Sequence, residues 1–207
     1  ISLAKQMKDA GTLFLLLTGG EPLLFPQFKE LYCALKDMGM ILTLNTNGTL
    51  INEEWAEFFA KNKPRRINIT LYGSKNETYE KLCHMKDGFD KTIRGIELLK
   101  KYKIDVKING SLVKKNFHDR MEIIDIGEKY DIPVRIDTYM YPSVRERTTP
   151  FNFQERLNPE DAAKARVEIL HREMGDELFE QYAKQTIYLA EHTEEGCLLY
   201  TSDAADD

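Results

Sequence analysis

Thr18-Gly19-Gly20-Glu21-Pro22 follows directly on the apolar run Leu13-Phe14-Leu15-Leu16-Leu17. The run reads as a buried strand, and behind it come two residues without side chains, a carboxylate, and a proline that ends the extension. Neither glycine presents a Cβ to hold a ligand off the backbone. Glu21, at the strand's carboxyl end, is suited to a cationic group such as the ammonium of an amino acid. Together these residues suit a small zwitterion. They also suit a tight strand-to-helix turn with a glutamate at the helix start, so the elements around them must decide.

Those elements alternate regularly. Extended runs begin near Leu13, Ile41, Ile67, Val106 and Val134, at intervals of roughly 30 residues, the length of one βαβ unit. Between them lie helical periodicities. Leu24, Phe28, Leu31, Tyr32 and Leu35 form one apolar stripe, and Trp55, Phe58 and Phe59 mark a second helix with Asn52 as its N-cap. Phe89 to Tyr102 and Met121 to Tyr130 supply two more. From Thr148 onward only helical patterns remain, over 159–171 and 177–191, and 148–153 sits where a loop over the sheet's mouth is expected. Strand, helix, strand at this spacing predicts a parallel sheet with crossover helices.

The strands alternate in polarity. Ile67, Ile69 and Leu71 oppose Asn68, Thr70 and Tyr72; Val106, Ile108 and Leu112 oppose Lys107, Asn109 and Ser111; Val134 and Ile136 oppose Arg135, Asp137 and Tyr139. The apolar faces must meet the helices, because an unpaired buried charge is costly. A doubly wound sheet would be apolar on both faces, and a closed eight-stranded barrel fills its interior with branched residues. A curved, partly open barrel with a polar interior fits, as do edge strands facing solvent.

Composition narrows the classes. The 207 residues carry 34 acidic and 29 basic side chains, net −5, so no basic field points to nucleic acid or an anionic membrane surface. No apolar run approaches the roughly 20 residues that span a bilayer. Residues 1–11 do not have the pattern of a signal peptide. Cys33, Cys83 and Cys197 are too few and too scattered for a disulfide framework, which predicts a reducing, cytoplasmic setting. His84, His118, His171 and His192 show no metal-ligand spacing.

Three segments, in order and each at a strand's carboxyl end, carry a resemblance: Thr18-Gly-Gly-Glu-Pro-Leu-Leu24, Leu44-Asn-Thr-Asn-Gly-Thr-Leu-Ile51, and Ile69-Thr-Leu-Tyr-Gly-Ser74 with Thr78-Tyr79 following. Over residues 13–142 the chain resembles the core of radical S-adenosylmethionine (SAM) enzymes, most closely the SPASM-like branch that modifies peptides and proteins. The resemblance implies an α/β fold, a partial (βα)6 TIM-like open barrel of parallel strands, here followed by C-terminal helices. It implies a [4Fe-4S] cluster that passes an electron to SAM, whose S–C5′ bond breaks to give a radical that takes hydrogen from a peptide or protein. It also implies an electron donor such as a flavodoxin or ferredoxin, and no nucleic acid or membrane partner. Carried over by position, Gly19, Gly20 and Glu21 would hold the methionine ammonium through backbone carbonyls and carboxylate. Thr70 matches a position, usually serine, near the ribose or carboxylate. Asn45 and Asn47 lie near the cofactor mouth, and Asn109 and Ser111 come from the next inward face.

One departure is serious. The family's Cys-x3-Cys-x2-Cys loop follows its first strand, and this chain has no such triad. Because the first strand here corresponds to the family's second, the expectation is a core cut ahead of that loop. Such a fragment has no metal ligand or catalytic residue of its own and is inactive as it stands. Residues 1–147 are then the incomplete barrel and 148–196 a helical extension. Residues 197–207 resemble a translated sequencing-adapter tail. Asn45-Thr46-Asn47-Gly48 reads equally as a turn, and Cys33 and Cys83 as structural thiols. The competing function is a non-redox βα-barrel module that binds a nucleoside or amino-acid-like ligand.

Overall fold

The computed structural model describes residues 1–140 and 154–192; the expected loop over 148–153 and the tail 197–207 lie outside them. The chain divides into two units, Ile1–Ala162 and Ala163–Asp207.

In the first unit five parallel strands, β1 (Phe14–Leu17), β2 (Ile41–Thr46), β3 (Arg66–Thr70), β4 (Val106–Ser111) and β5 (Val134–Asp137), lie side by side in chain order. Their starts fall within a residue of those expected. Helices α1 (Ser2–Asp9), α2 (Phe28–Asp37), α3 (Glu53–Lys61), α4 (Asn76–Cys83), α5 (Gly88–Lys101) and α6 (Arg120–Tyr130) complete the unit. Parallel strands in sequential order, joined by crossovers of one hand, put the connecting helices on one face of the sheet. That is the open, barrel-like α/β arrangement expected, and it excludes the doubly wound one.

Burial follows the alternation. Leu42 and Leu44, Ile67 and Ile69, Val106 and Ile108, and Ile136 are buried on the helix side. Between α2 and α3, Tyr32 packs edge-on against Phe58 and Phe59 and gives its hydroxyl to the Asn62 carbonyl at 2.9 Å. The Asn52 side chain caps α3 by accepting from Trp55 N at 3.0 Å, as its position predicts.

Three expectations are corrected. β1 is not buried: among the described residues it pairs only with β2, and Phe14 and Leu16 are 58% and 49% exposed on the face away from the helices. Leu24 does not belong to the stripe of α2; it closes a 3-10 turn over Pro22–Leu24 and is exposed. α1 and α4 were not expected, because each spans only eight residues, too short for periodicity to stand out.

In the second unit α7 (Pro159–His192) is broken at Gly175, whose φ of 74° and ψ of 169° are not helical, between the two helical stretches the sequence indicates. Across the break His171 Nε2 meets Asp176 Oδ1 at 2.7 Å. No helix among the described residues is long and apolar enough to cross a membrane.

Candidate functional site

The strand register assembles the polar residues into rows. In parallel strands, register partners face the same side. Asn45, Asn68 and Lys107 form one row, Thr70, Asn109 and Arg135 the next, and Ser111 and Asp137 the last, at the carboxyl end. Asn68 Nδ2 donates to Asn45 Oδ1 at 2.8 Å. Asn45, Asn68, Thr70, Lys107 and Asn109 are half-buried, so the inner strands make a polar concave face. The solvent-facing alternative holds at β5, where Arg135 and Asp137 are exposed and pair with each other at 3.2 Å, and at Ser111, which is exposed at the end of β4.

Glu21 stands at the carboxyl end of β1, but its carboxylate is already engaged. Oε1 accepts from Leu23 N at 3.1 Å and from the Thr46 hydroxyl at 2.7 Å, and Oε2 accepts from Asn47 N at 2.8 Å. The helix-start role is therefore real, since Glu21 caps the 3-10 turn, and the same side chain ties the end of β1 to the end of β2. A carboxylate offers about four lone-pair positions, and three are taken. Asn47 also makes the turn its sequence suggests: Oδ1 accepts from Thr49 N at 2.9 Å, and Gly48 adopts φ +76°. Its amide nitrogen remains as a donor.

Gly19 and Gly20 are exposed at the mouth, and a Cβ on either would meet nothing within 4 Å. The φ of Gly19, +150°, disfavours a side chain; that of Gly20 does not. Nothing in the chain's own packing therefore calls for glycine at position 20, which leaves room for something laid against that backbone. On β4 the Asn109 Oδ1 atom is buried and has no hydrogen-bond partner among the described residues. An orphaned buried acceptor is costly, and a ligand N–H or O–H arriving on the polar face would satisfy it. A small polar molecule with an ammonium and hydroxyls, such as SAM, fits these groups.

Next to this face a cavity of about 370 Å3 is lined by Tyr72, Leu82, Cys83, Ser111, Val113 and Met140. Burial, then the neighbouring Cys83 and Glu21, raises the Tyr72 phenol above its usual pKa, and burial raises the Cys83 thiol. Both are neutral near pH 7.

An iron–sulfur cluster has no ligand set here. No three Cys, His, Asp or Glu side chains converge on a metal position among the described residues, and Cys33 and Cys83 are separate free thiols. The expected absence of ligand cysteines concerns these residues alone.

The sequence reading missed the buried polar residues beneath the mouth. Thr46, at the end of β2, Thr78 on α4, Thr92 on α5, and Asn116 and Asp119 in the segment after β4 are each at most 3% exposed. Asn116 Nδ2 donates to Tyr72 O and Ser111 O, and Asp119 Oδ2 accepts from Ser74 N. The available signal was a threonine interrupting an apolar stripe: Thr46 follows Leu42 and Leu44, and Thr92 sits with Gly88, Gly95, Ile96 and Leu99 on the buried side of α5.

Comparison with known proteins identifies the family and the fold. The family model of the Radical SAM superfamily matches residues 1–127. The AdoMet-dependent heme synthase of Methanosarcina barkeri is 29% identical over 157 residues, 74% of this chain and 45% of that protein. The cysteine-type anaerobic sulfatase-maturating enzyme of Clostridium novyi is 33% identical over 108 residues, 47% of this chain and 28% of that protein. Among solved structures, Streptococcus suis SuiB bound to S-adenosylmethionine superposes with a TM-score of 0.66 at 20% identity, covering 83% of this chain and 39% of that one. The structure of anSMEcpe with AdoMet and the Cp18Cys peptide gives 0.66 at 23%, covering 82% and 49%. At such identities the structural likeness speaks for the fold. The chain spans less than half the length of these relatives.

Proposed function

Because the chain belongs to the radical SAM superfamily, we propose that its polar face binds S-adenosylmethionine as the core of an enzyme acting on a peptide or protein. The observation that carries this reading is the pairing of an open glycine backbone at the end of β1 with an unpartnered buried acceptor, Asn109 Oδ1, on β4.

The Gly19 and Gly20 carbonyls accept from the methionine ammonium, with the remaining lone pair of Glu21 beside them. Thr70, Asn109 and Ser111 offer hydroxyl and amide groups to the ribose and carboxylate, and Asn45 and Asn47 close the mouth. SAM, when bound and reduced, supplies the radical that abstracts hydrogen from substrate. The chain's own task is to bind, orient and keep water from the cofactor. The described residues provide no thiolate set for the cluster, whose ligands would lie elsewhere in the complete protein, and the electron would come from a separate partner such as a flavodoxin or ferredoxin.

The peptide assignment is supported by the sulfatase-maturating relatives and by the fold shared with a peptide-bound structure. The longer match to a heme synthase favours a second reading, in which the substrate is a tetrapyrrole. The test is anaerobic incubation of the complete protein with SAM and dithionite, following release of 5′-deoxyadenosine with candidate peptides or porphyrins. Release stimulated by peptide is expected. Stimulation only by porphyrin would select the second reading, and no release at all would remove both.

A further inference from the structure

Beneath the mouth, buried side chains from α4 and α5 join the ends of three strands in one directed hydrogen-bond chain. Tyr72 N, just past β3, donates to the Tyr79 hydroxyl at 3.3 Å. Tyr79 donates to Thr92 Oγ1 at 3.3 Å. Thr92 in turn reaches the Asn47 carbonyl at 3.1 Å, sharing its proton with Gly88 O at 2.9 Å. On the same peptide unit Gly48 N donates to the Thr46 hydroxyl at 3.2 Å, and Thr46 donates to Glu21 Oε1 at 2.7 Å, while Asn47 N separately donates to Glu21 Oε2. Each hydroxyl both accepts and donates, Thr92 dividing its one proton between two carbonyls, so the dipoles align and reinforce one another in a dry environment. Tyr79 is 1% exposed and Thr92 0%.

One helical turn beyond Thr92, Gly95 packs against the same loop. A Cβ there would lie 2.5 Å from the Gly48 carbonyl oxygen. Helix α5 thus presses on the Asn47–Gly48 segment with one residue that bonds it and another small enough to let it approach. None of these side chains lies on the polar face.

We propose that Thr92 and Tyr79 are positioning residues for the cofactor: through Asn47 and Glu21 they set the spacing between the β1 and β2 ends, and so the affinity for SAM. This rests on the cofactor reading above. A merely structural hydroxyl, once removed, would lower stability and leave the affinity of the folded protein unchanged. A positioning hydroxyl lowers the affinity as well.

The test is calorimetric titration of the complete protein with SAM, comparing wild type with Thr92→Val, Thr92→Ser and Tyr79→Phe, with thermal midpoints taken alongside. Thr92→Val keeps the volume and removes the hydroxyl; its Kd is expected to rise at least tenfold. Thr92→Ser restores the hydroxyl and should fall within about threefold of wild type. Tyr79→Phe should weaken binding while retaining the fold, and it decides the matter if Thr92→Val does not fold. Amide exchange at Asn47 should quicken in both disrupted variants. Wild-type affinity in folded Thr92→Val or Tyr79→Phe would overturn the proposal, as would a Thr92→Ser loss as large as that of Thr92→Val. A wild-type protein that binds no SAM overturns the cofactor reading itself, and this inference with it.

Discussion

At the residue scale, Glu21 shows how one carboxylate serves two ends. Its charge was legible in the sequence as a possible partner for an ammonium; its three internal donors were not, because Thr46 and Asn47 reach it only when β1 and β2 lie side by side. Replacing it by glutamine tests this. Gln accepts through one atom but turns an NH2 toward a donor, either Asn47 N or the Thr46–Leu23 pair. Glu21→Gln is expected to weaken SAM binding about tenfold, roughly 1.4 kcal/mol, measured calorimetrically on the complete protein; unchanged affinity would show the latch to be dispensable. Tyr79 makes a prediction about pH. Burial raises its phenol from 10.0 to about 12. Ionisation is harder in the folded state, so the stability Tyr79 contributes is intact below pH 10 and lost as pH rises through about 12. At one pKa unit per 1.36 kcal/mol, the loss is on the order of 2–3 kcal/mol. Urea midpoints between pH 9 and 12 should fall more steeply for wild type than for Tyr79→Phe.

At the element scale, β2 to β5 were readable because each alternates Ile, Val or Leu with polar residues, and burial of one face enforces that pattern. Asn52 was readable as the α3 cap for an equally local reason. Asn52→Ala should cost about 1 kcal/mol, seen as a lowered urea midpoint without change in SAM affinity. A loss of affinity instead would tie α3 to the site. The exposure of β1 was not readable, since an apolar run looks the same whether one neighbour or two will cover it. The short α4 escaped for want of length, yet it brings Tyr79 under the mouth. Thr46 and Thr92 escaped because they donate to groups far along the chain, the Glu21 carboxylate and the Asn47 carbonyl, which no periodicity encodes.

At the scale of the whole molecule, sequential parallel strands with helices on one face leave the other face free for chemistry, and the register turns scattered polar residues into adjacent rows. The chain supplies a cofactor platform, and its two described thiols lie apart, with Cys33 on α2 and Cys83 ending α4. Replacing both by serine in the complete protein should leave the iron–sulfur absorption intact. Its loss would make one of them a ligand after all. The most direct measurement concerns Gly20, where an added Cβ would meet nothing within 4 Å. Calorimetric titration of the complete protein with SAM should show binding by wild type and at least a tenfold loss in Gly20→Val, with the thermal midpoints of the two nearly equal. Equal affinity in both would mean that nothing lies against that backbone, and would contradict the cofactor site described above.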